Sequence, residues 1–345
     1  MTAKTQNKAL AHIDILNIIA IIGVLLLHHN SAMHTYSNSG TWITAIAVKS
    51  VFFFAVPLFL MITGATLLGY RQRYDTKTFF KKRLTKIIIP LIFWSVFMLF
   101  WGVYYSHEIK MPSTPIEFFN SFMGSKFCSI YYFMFTILGI YITLPPLSPL
   151  AEKKNRGLLR YAIIAFFIFN TLIPDILSFF RLWPSSSIRL QLTGWIIYPL
   201  IGYYLNTATI NRKWRIALYL LGIASIAYHF LITYLMSTSA GALKIPASEY
   251  TQFHVILTTS ALFVFVKNLK LKLSDKAQKI LHTLAGCSFG IYLMHIPIMQ
   301  LEGKLFGLTS KTIIWRFLFP FLTYAICVGI VLLLKKIPFL RRIVP

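Results

Sequence analysis

The sequence has little charge, few acidic residues and few cysteines. Only 12% of its 345 residues are charged, and Asp and Glu together number nine, whereas about 25% of the residues of a soluble domain are charged. No polar stretch long enough to form a soluble domain separates the apolar runs. The three cysteines form no CxxC pair, which argues against a disulfide framework or a zinc site. These shortages exclude an ordinary soluble globular protein.

Several functional motifs are missing as well. The chain has no Walker A motif and no GxGxxG, which argues against ATP-driven transport by this chain. It has no HExxH, and the adjacent His28 and His29 do not present two ligands on one helix face, so we expect no metal site and no permanently bound cofactor. No small-residue cleavage site follows the first apolar run, so we expect that run to act as an uncleaved signal anchor.

Long apolar runs are abundant. The composition is 57% hydrophobic and 16% aromatic, the mean hydropathy is +0.68, and runs long enough to cross a hydrocarbon core of about 30 Å recur along the chain. We predict an all-α fold, a polytopic membrane helix bundle of about ten transmembrane helices that forms a single domain over residues 1–345. The predicted spans are about 10–31, 44–69, 84–106, 126–148, 158–175, 188–206, 214–236, 251–269, 280–301 and 313–334.

The net charge of +25 follows from this topology. With the N-terminus inside, 25 of the 34 Lys and Arg fall in six short inner segments, so the positive-inside rule predicts that both termini are cytoplasmic. Scattered cations of this kind contact anionic membrane lipids, and we expect no nucleic-acid partner. One segment is unusually dense. "RQRYDTKTFFKKRLTK" (71–86) contains seven cations and is either a solvated loop that anchors two spans or a cytoplasmic site for an anionic cosubstrate.

Polar side chains line one side of the first predicted helix. At about 100° per residue, Asn17 and His28 lie about 20° apart around the helix, and Asp14 lies on the same side. A neutral imidazole in a protected site is a suitable general base. The alternatives are an interfacial His28, a capping or interfacial Asp14, and an Asn17 that hydrogen bonds between helices. His29 faces elsewhere, and we expect it at the membrane interface.

Four stretches of the sequence resemble acyltransferase family 3, a family of integral membrane enzymes. The family's first helix has an Asp, an Arg three residues later and a His after ten more, and Asp14, Asn17 and His28 stand at these positions. "FFFAVPLFLMITGATLLG" resembles the second helix, and "FFKKRLTKIIIPLIFW" resembles the basic loop and third helix, with Arg83 and Lys86 in the Arg-x-x-Arg positions. "CSFGIYLMHIPIM" resembles the late Ser-x-Gly-Ile-Tyr-Leu-x-His helix.

Two positions depart from the family pattern. Asn17 replaces the usual Arg, which would supply a permanent charge and a bidentate fork. Where many members have His-Leu-Trp-Phe at the start of the fourth helix, this chain has "IYYF" at 130–133. Both departures concern the catalytic assignment rather than the fold.

The resemblance implies transfer of an acyl group, most simply acetyl, from cytoplasmic acyl-CoA to a hydroxyl of a cell-surface glycan, a polysaccharide or a lipid-linked sugar. Lys82, Arg83 and Lys86 would bind the CoA phosphates, and the pantetheine arm would follow the stripe of Asp14 and Asn17. His28 would take the proton of the acceptor hydroxyl. A multi-pass protein of the bacterial plasma membrane is implied, with a separate extracytoplasmic partner to complete transfer if this chain does not transfer directly.

His295 is a second candidate for the site. Ser288, Tyr292 and His295 are spaced i, i+4 and i+7 and share a helix face, at a predicted depth close to that of His28. His295 would then stabilise an oxyanion. The alternative is structural hydrogen bonding between helices by Tyr292 and His295. We leave His229 and His254, which belong to no such stripe, as structural residues.

Two functions of different classes remain open at this point, and the two departures from the family motifs leave a non-catalytic scaffold as a third possibility. The first is the O-acyltransferase, which requires acyl-CoA. The second is a transporter or export component for a glycan or lipid intermediate, which would move its substrate without acyl-CoA. The missing Arg at position 17 and the aromatic-rich helices keep the second alternative open.

Overall fold

The computed structural model describes residues 3–180 and 194–345. Within these ranges it contains helices, turns and loops and no β-strand, which confirms the predicted all-α class. The α-helices are α1 Ala3–His29, α2 Gly40–Phe52, α3 Ala55–Leu67, α4 Thr76–Tyr104, α5 Pro115–Met123, α6 Tyr132–Leu147, α7 Arg156–Phe167, α8 Ile173–Phe179, α9 Ile197–Thr207, α10 Arg212–Ala240, α11 Phe253–Lys267, α12 Asp275–Ala285, α13 Ser288–Phe306, α14 Ile313–Phe317 and α15 Phe319–Lys336.

Seven segments of the described chain are long and apolar enough to cross a membrane, or eight if α12 and α13 together form one span. The seven are Ala11–His29, Gly40–Gln72, Thr76–Tyr104, Ser129–Ala151, Lys153–Ser178, Arg212–Ala240 and Phe319–Lys336. Helix α11 is apolar, but its 15 residues are fewer than the roughly 20 that a span needs. The predicted span 188–206 begins outside the described residues. The count of ten and the cytoplasmic termini therefore stay predictions.

The chain divides into two compact units, each built from two stretches of sequence. Unit 1 comprises Met1–Arg73 and Leu144–Ala285, and unit 2 comprises Tyr74–Thr143 and Gly286–Pro345. The predicted single domain is not tested by this division.

Helices α3 and α9 form the closest helix pair of unit 1. Gly64 of α3 lies against the backbone of Pro199, and Gly202 of α9 lies against the backbone of Met61. A methyl group at either glycine would overlap the backbone of the other helix. Small residues are what allow two membrane helices to approach this closely. The pair supports α1, which packs against α3, α2, α11 and α12.

In unit 2, α13 packs against α15 and α4. The Tyr131 hydroxyl donates to the carbonyl of Leu293 at 2.7 Å. The indole of Trp94 in α4 donates to the carbonyl of Ile343 at 2.9 Å, which ties the segment after α15 to α4. Asp75 caps the first turn of α4, and its hydrogen bonds with Thr78 lower the pKa of the carboxyl group.

Candidate active site

Asp14 is buried at the first turns of the apolar part of α1, where its carboxylate meets an imidazole. Its two oxygens lie 3.1 and 3.3 Å from Nδ1 of His282, which α12 supplies. The His282 side chain is 71% exposed, whereas that of Asp14 is 10% exposed. Because the pair opens to solvent, it positions Asp14 more than it stabilises the fold. The sequence analysis did not find this partner, since His282 is 268 positions away.

Asn17 is half-buried one turn further along α1. Its amide nitrogen donates to the carbonyl of Ile13 at 3.1 Å, the residue four positions earlier. One amide hydrogen of Asn17 is therefore used within its own helix. The side chain holds a dipole and no charge at the position where an Arg of the family would place a cation.

The two histidines at the end of α1 differ in their surroundings. His28 is half-buried, whereas His29 and Asn30 are fully buried at 0% exposure. This burial concerns the neighbours of His29 and not its depth in a membrane, so the expectation that it lies at the interface stays a prediction. The helix rotates His29 into the packed side of unit 1, where α1 meets its neighbours, and the half-buried face carries His28.

The hydrogen bond of His29 determines which nitrogen can act as a base. Nδ1 lies 2.9 Å from the carbonyl oxygen of Leu25. A carbonyl only accepts, so Nδ1 carries the proton and the lone pair of the neutral ring is on Nε2. The same helix end thus holds one imidazole of defined tautomer, His29, directly beside His28. Neither the spacing nor the stripe of polar residues indicated this arrangement.

His295 of unit 2 is also fully buried and has the same tautomer. Its Nδ1 lies 2.8 Å from the carbonyl oxygen of Tyr292 and 3.2 Å from that of Ile291, so Nε2 carries the lone pair of the neutral ring. The Tyr292 hydroxyl donates to the carbonyl of Ile130. Tyr292 therefore makes the structural hydrogen bond that the alternative interpretation expected, whereas His295 bonds to its own helix.

The three predicted cofactor-binding cations at the start of α4 have different surroundings. The ammonium of Lys82 lies 4.6 Å from the centre of the Tyr74 ring. Arg83 is half-buried, and its Nε has no hydrogen-bond partner among the described residues. Lys86 is exposed and lines a cavity. Of the three side chains, Lys86 is the one that lines this cavity.

The cavity at Lys86 is the most strongly basic feature of unit 2. It has a volume of about 650 Å³ and is lined by Lys86, Lys335, Arg341 and Arg342, together with Thr85, Ile89 and Pro345. Four cations and no carboxylate side chain therefore surround one space. Lys335, Arg341 and Arg342 were not predicted to bind the cosubstrate. The basic run at the end of the last apolar helix was the only sequence feature that could have indicated a binding role. The Trp94 hydrogen bond, which brings this run to α4, is a tertiary contact that the sequence does not show.

Metal ligands are not grouped in the part of the chain that the structure describes. No set of three His, Cys, Asp or Glu side chains in residues 3–180 and 194–345 could hold a metal ion. The expectations of no metal and no permanently bound cofactor stay predictions.

Comparison with known proteins identifies the family of the chain. A family model described as an acyltransferase domain, that of acyltransferase family 3, matches residues 10–334, nearly the whole chain. The searches of curated proteins and of solved structures found no match. The matched region contains the histidines of α1 and α13 and the basic start of α4. The chain therefore belongs to acyltransferase family 3 and is a multi-pass membrane acyltransferase.

Proposed function

We propose that the protein transfers an acyl group, acetyl in the simplest case, from cytoplasmic acyl-CoA to a hydroxyl of a cell-surface glycan or lipid-linked sugar. The observation that carries the donor assignment is the cavity lined by Lys86, Lys335, Arg341 and Arg342. CoA carries a diphosphate and a ribose phosphate, and Arg and Lys are the side chains that bind such groups. We therefore expect these four residues to bind the CoA nucleotide, with Lys82 and Arg83 adding positive charge along the start of α4.

The chemistry requires a base and a route for one proton. In the proposed reaction His28 takes the proton of the acceptor hydroxyl, and the oxygen attacks the thioester carbonyl carbon. The tetrahedral intermediate then expels the CoA thiolate, which receives the proton from His28. One C–O bond forms, one C–S bond breaks, and no other reactant is consumed. General base catalysis of this kind contributes typically 10²–10⁴-fold to a rate.

Asp14, Asn17 and His295 have supporting roles in this proposal. Asn17 supplies no charge, so the phosphates depend on the cations of the cavity. The carboxylate of Asp14 is buried and held by His282, and we expect it to orient the first turns of α1. His295 has an Nε2 lone pair in the neutral ring, and protonation there is what would let it stabilise an oxyanion. His295→Ala, measured in the transfer assay below, tests this contribution.

The experiment measures transfer directly. The purified protein is reconstituted into vesicles with the cytoplasmic face accessible, together with the lipid and glycan fraction of the source membrane and radiolabelled acetyl-CoA. Wild type is expected to label the glycan or lipid, and His28→Ala is expected to lower the rate of labelling at least a hundredfold. If the protein needs an extracytoplasmic partner, it hydrolyses acetyl-CoA without transferring the acetyl group. Adding the extracytoplasmic protein fraction would then restore transfer.

The control variant is Lys154→Gln, because Lys154 is an exposed cation of another basic segment and pairs only with Glu152. It is expected to behave as wild type, whereas Arg342→Gln raises the KM for acetyl-CoA. If wild type neither hydrolyses nor transfers from acetyl-CoA or from longer acyl-CoA donors, the proposed donor is wrong. Movement of a labelled glycan across the vesicle without any acyl-CoA would support the transporter alternative instead.

A further inference from the structure

A cluster of buried basic side chains lies in unit 1, apart from the residues assigned above. It consists of Lys49 of α2, His229 of α10 and His254 of α11, which are 7%, 1% and 2% exposed. The ring centres of His229 and His254 are 4.8 Å apart. Phe53 joins the group, since its ring centre lies 5.1 Å from that of His229 and 5.4 Å from the Lys49 ammonium. The sequence analysis had left both histidines as structural residues.

Several polar atoms of this cluster have no hydrogen-bond partner among the described residues. Lys49 makes no hydrogen bond or ion pair with any described residue, and its contact with Phe53 is a cation–π contact. Both ring nitrogens of His229 are buried and lack a hydrogen-bond partner, as does the hydroxyl of Thr233 one turn further along α10. The backbone of Ala247 lies near His254 without forming a well-aligned hydrogen bond. Buried donors without partners are costly and call for a ligand or water.

The charge around the cluster has one sign. No carboxylate is paired with Lys49 in the described chain, where the ion pairs are Lys154 with Glu152 and His282 with Asp14. Asp175 is an acid beside the start of α11, where its carboxylate accepts from the backbone N–H of Phe253 at 2.9 Å. A lysine ammonium beside two imidazoles repels a metal cation and attracts an anion. The walls are aromatic, since Tyr250 stacks on Phe53 at 4.4 Å.

The cluster is close to the end of α1 that carries the candidate base. His34, in the turn that follows α1, interacts electrostatically with both Lys49 and His28. Partial burial, followed by the nearby Lys49 ammonium, lowers the pKa of His34. A chain of basic side chains therefore runs from His28 through His34 to Lys49. An anion bound in the cluster would therefore be within electrostatic range of His34, which itself interacts with His28.

We propose that Lys49, His229 and His254 bind an oxyanion, a carboxylate or a phosphate, of the acceptor molecule. Lys49 supplies the charge, and each neutral imidazole donates one N–H. The acceptor is thereby assigned to the acidic sugars or phosphate-bearing lipids rather than to neutral glycans. The assignment of this oxyanion to the acceptor rests on the proposed function, whereas the binding of an oxyanion by the cluster does not.

The test is an equilibrium binding measurement on the full-length protein in nanodiscs of phosphatidylcholine. The probes are radiolabelled glucuronate and inorganic phosphate, with glucose as the neutral match for glucuronate. Wild type is expected to bind at least one anionic probe saturably and not glucose. Lys49→Gln is expected to weaken this binding tenfold or more, Lys49→Arg to retain most of it, and Lys154→Gln to leave it unchanged.

A second arm distinguishes the two sources of the oxyanion. Phosphatidylglycerol added to the nanodiscs displaces the soluble probe if the ligand is a lipid headgroup, and does not displace it if the ligand is an acidic sugar. The proposal is overturned if wild type binds neither probe and shows no preference for phosphatidylglycerol, a result that does not depend on how any variant folds. It is also overturned if folded Lys49→Gln binds as wild type does.

The same preparations separate this proposal from the proposed function. Acetyl-CoA turnover without anion binding refutes the oxyanion site alone. Anion binding that depends on Lys49, in a protein that never uses acyl-CoA, supports the site and refutes the acyltransfer proposal.

Discussion

The close approach of α3 and α9 makes Gly64→Ala the sharpest test of how unit 1 is held together. An alanine methyl at position 64 would overlap the carbonyl oxygen, the carbonyl carbon and the Cα of Pro199. These are backbone atoms of a helix, so no side-chain rotation relieves the overlap. Helix α3 also packs against α1, which carries Asp14 and His28, and a shift of α3 therefore reaches the candidate site.

The magnitude follows from the geometry. Non-bonded carbon atoms prefer separations of about 3.5–4.0 Å, so the two helices must part by about 1 Å or more along the contact. Overpacking a core typically costs about 1–3 kcal/mol, and a backbone obstacle that cannot rotate away places Gly64→Ala at the upper end, at about 3 kcal/mol. For a chain of this size a loss of that order lowers Tm on the order of 5–10 °C.

The assay is differential scanning calorimetry of the detergent-solubilised protein, because the heat of unfolding reports on the helices of unit 1 directly. The control is Gly157→Ala, because a methyl group at position 157 of α7 meets no atom within 4 Å and is expected to be neutral or to stabilise by about 0.4–1 kcal/mol.

Equal melting temperatures for Gly64→Ala and wild type would refute the packing of α3 against α9 described here. Gly202→Ala, on the other helix, provides an independent repeat of the test, because it meets the backbone of Met61. A loss of stability in both glycine variants with no change in Gly157→Ala supports the arrangement.

Three further predictions concern the candidate site. His28→Ala lowers acyl transfer at least a hundredfold but leaves Tm close to wild type because His28 is half-buried, whereas His29→Ala loses a buried hydrogen bond and about 1–3 kcal/mol of stability, measured by the same calorimetry. His282→Gln lowers stability by less than about 1 kcal/mol because its partner contact is exposed, and a larger loss by calorimetry would contradict the geometry. Arg342→Gln raises the KM for acetyl-CoA several-fold with kcat nearly unchanged, and added salt narrows the difference from wild type in steady-state kinetics.

The fold class was predictable because a membrane imposes strong local constraints on sequence. Every backbone polar group must be satisfied in the hydrocarbon core, so apolar runs become helices whatever their neighbours are. Boundaries within a run were less predictable. The stretch 44–69 was expected to form one span, and Gly40–Gln72 is indeed one candidate span, but within it α2 ends at Phe52 and α3 begins at Ala55. Phe53 and Phe54 keep helical dihedral angles. Pro57 marks the break in the sequence, because it has no N–H to donate to the carbonyl of Phe53, four residues earlier.

The site was predictable to the extent that it depends on one helix. The common side of Asp14, Asn17 and His28 follows from the helical repeat, and the resemblance to the family follows from the motifs. The partners of these residues were not predictable in the same way. His29 is fully buried. Its burial was not predictable, because which side of a helix is covered depends on the helices that pack against it.

The sequence by itself determined the helical class, the apolar segments, the basic segments between them and the polar stripe of the first helix, because composition and helical period act over a few turns of chain. Only the tertiary structure decided the partners. It brings Asp14 to His282 and Lys49 to His229 and His254. It also places Lys86 in one cavity with the cations at and after the end of α15. These groups come from helices far apart in sequence, and their meeting depends on which helix pairs approach closely, as α3 and α9 do at their glycines.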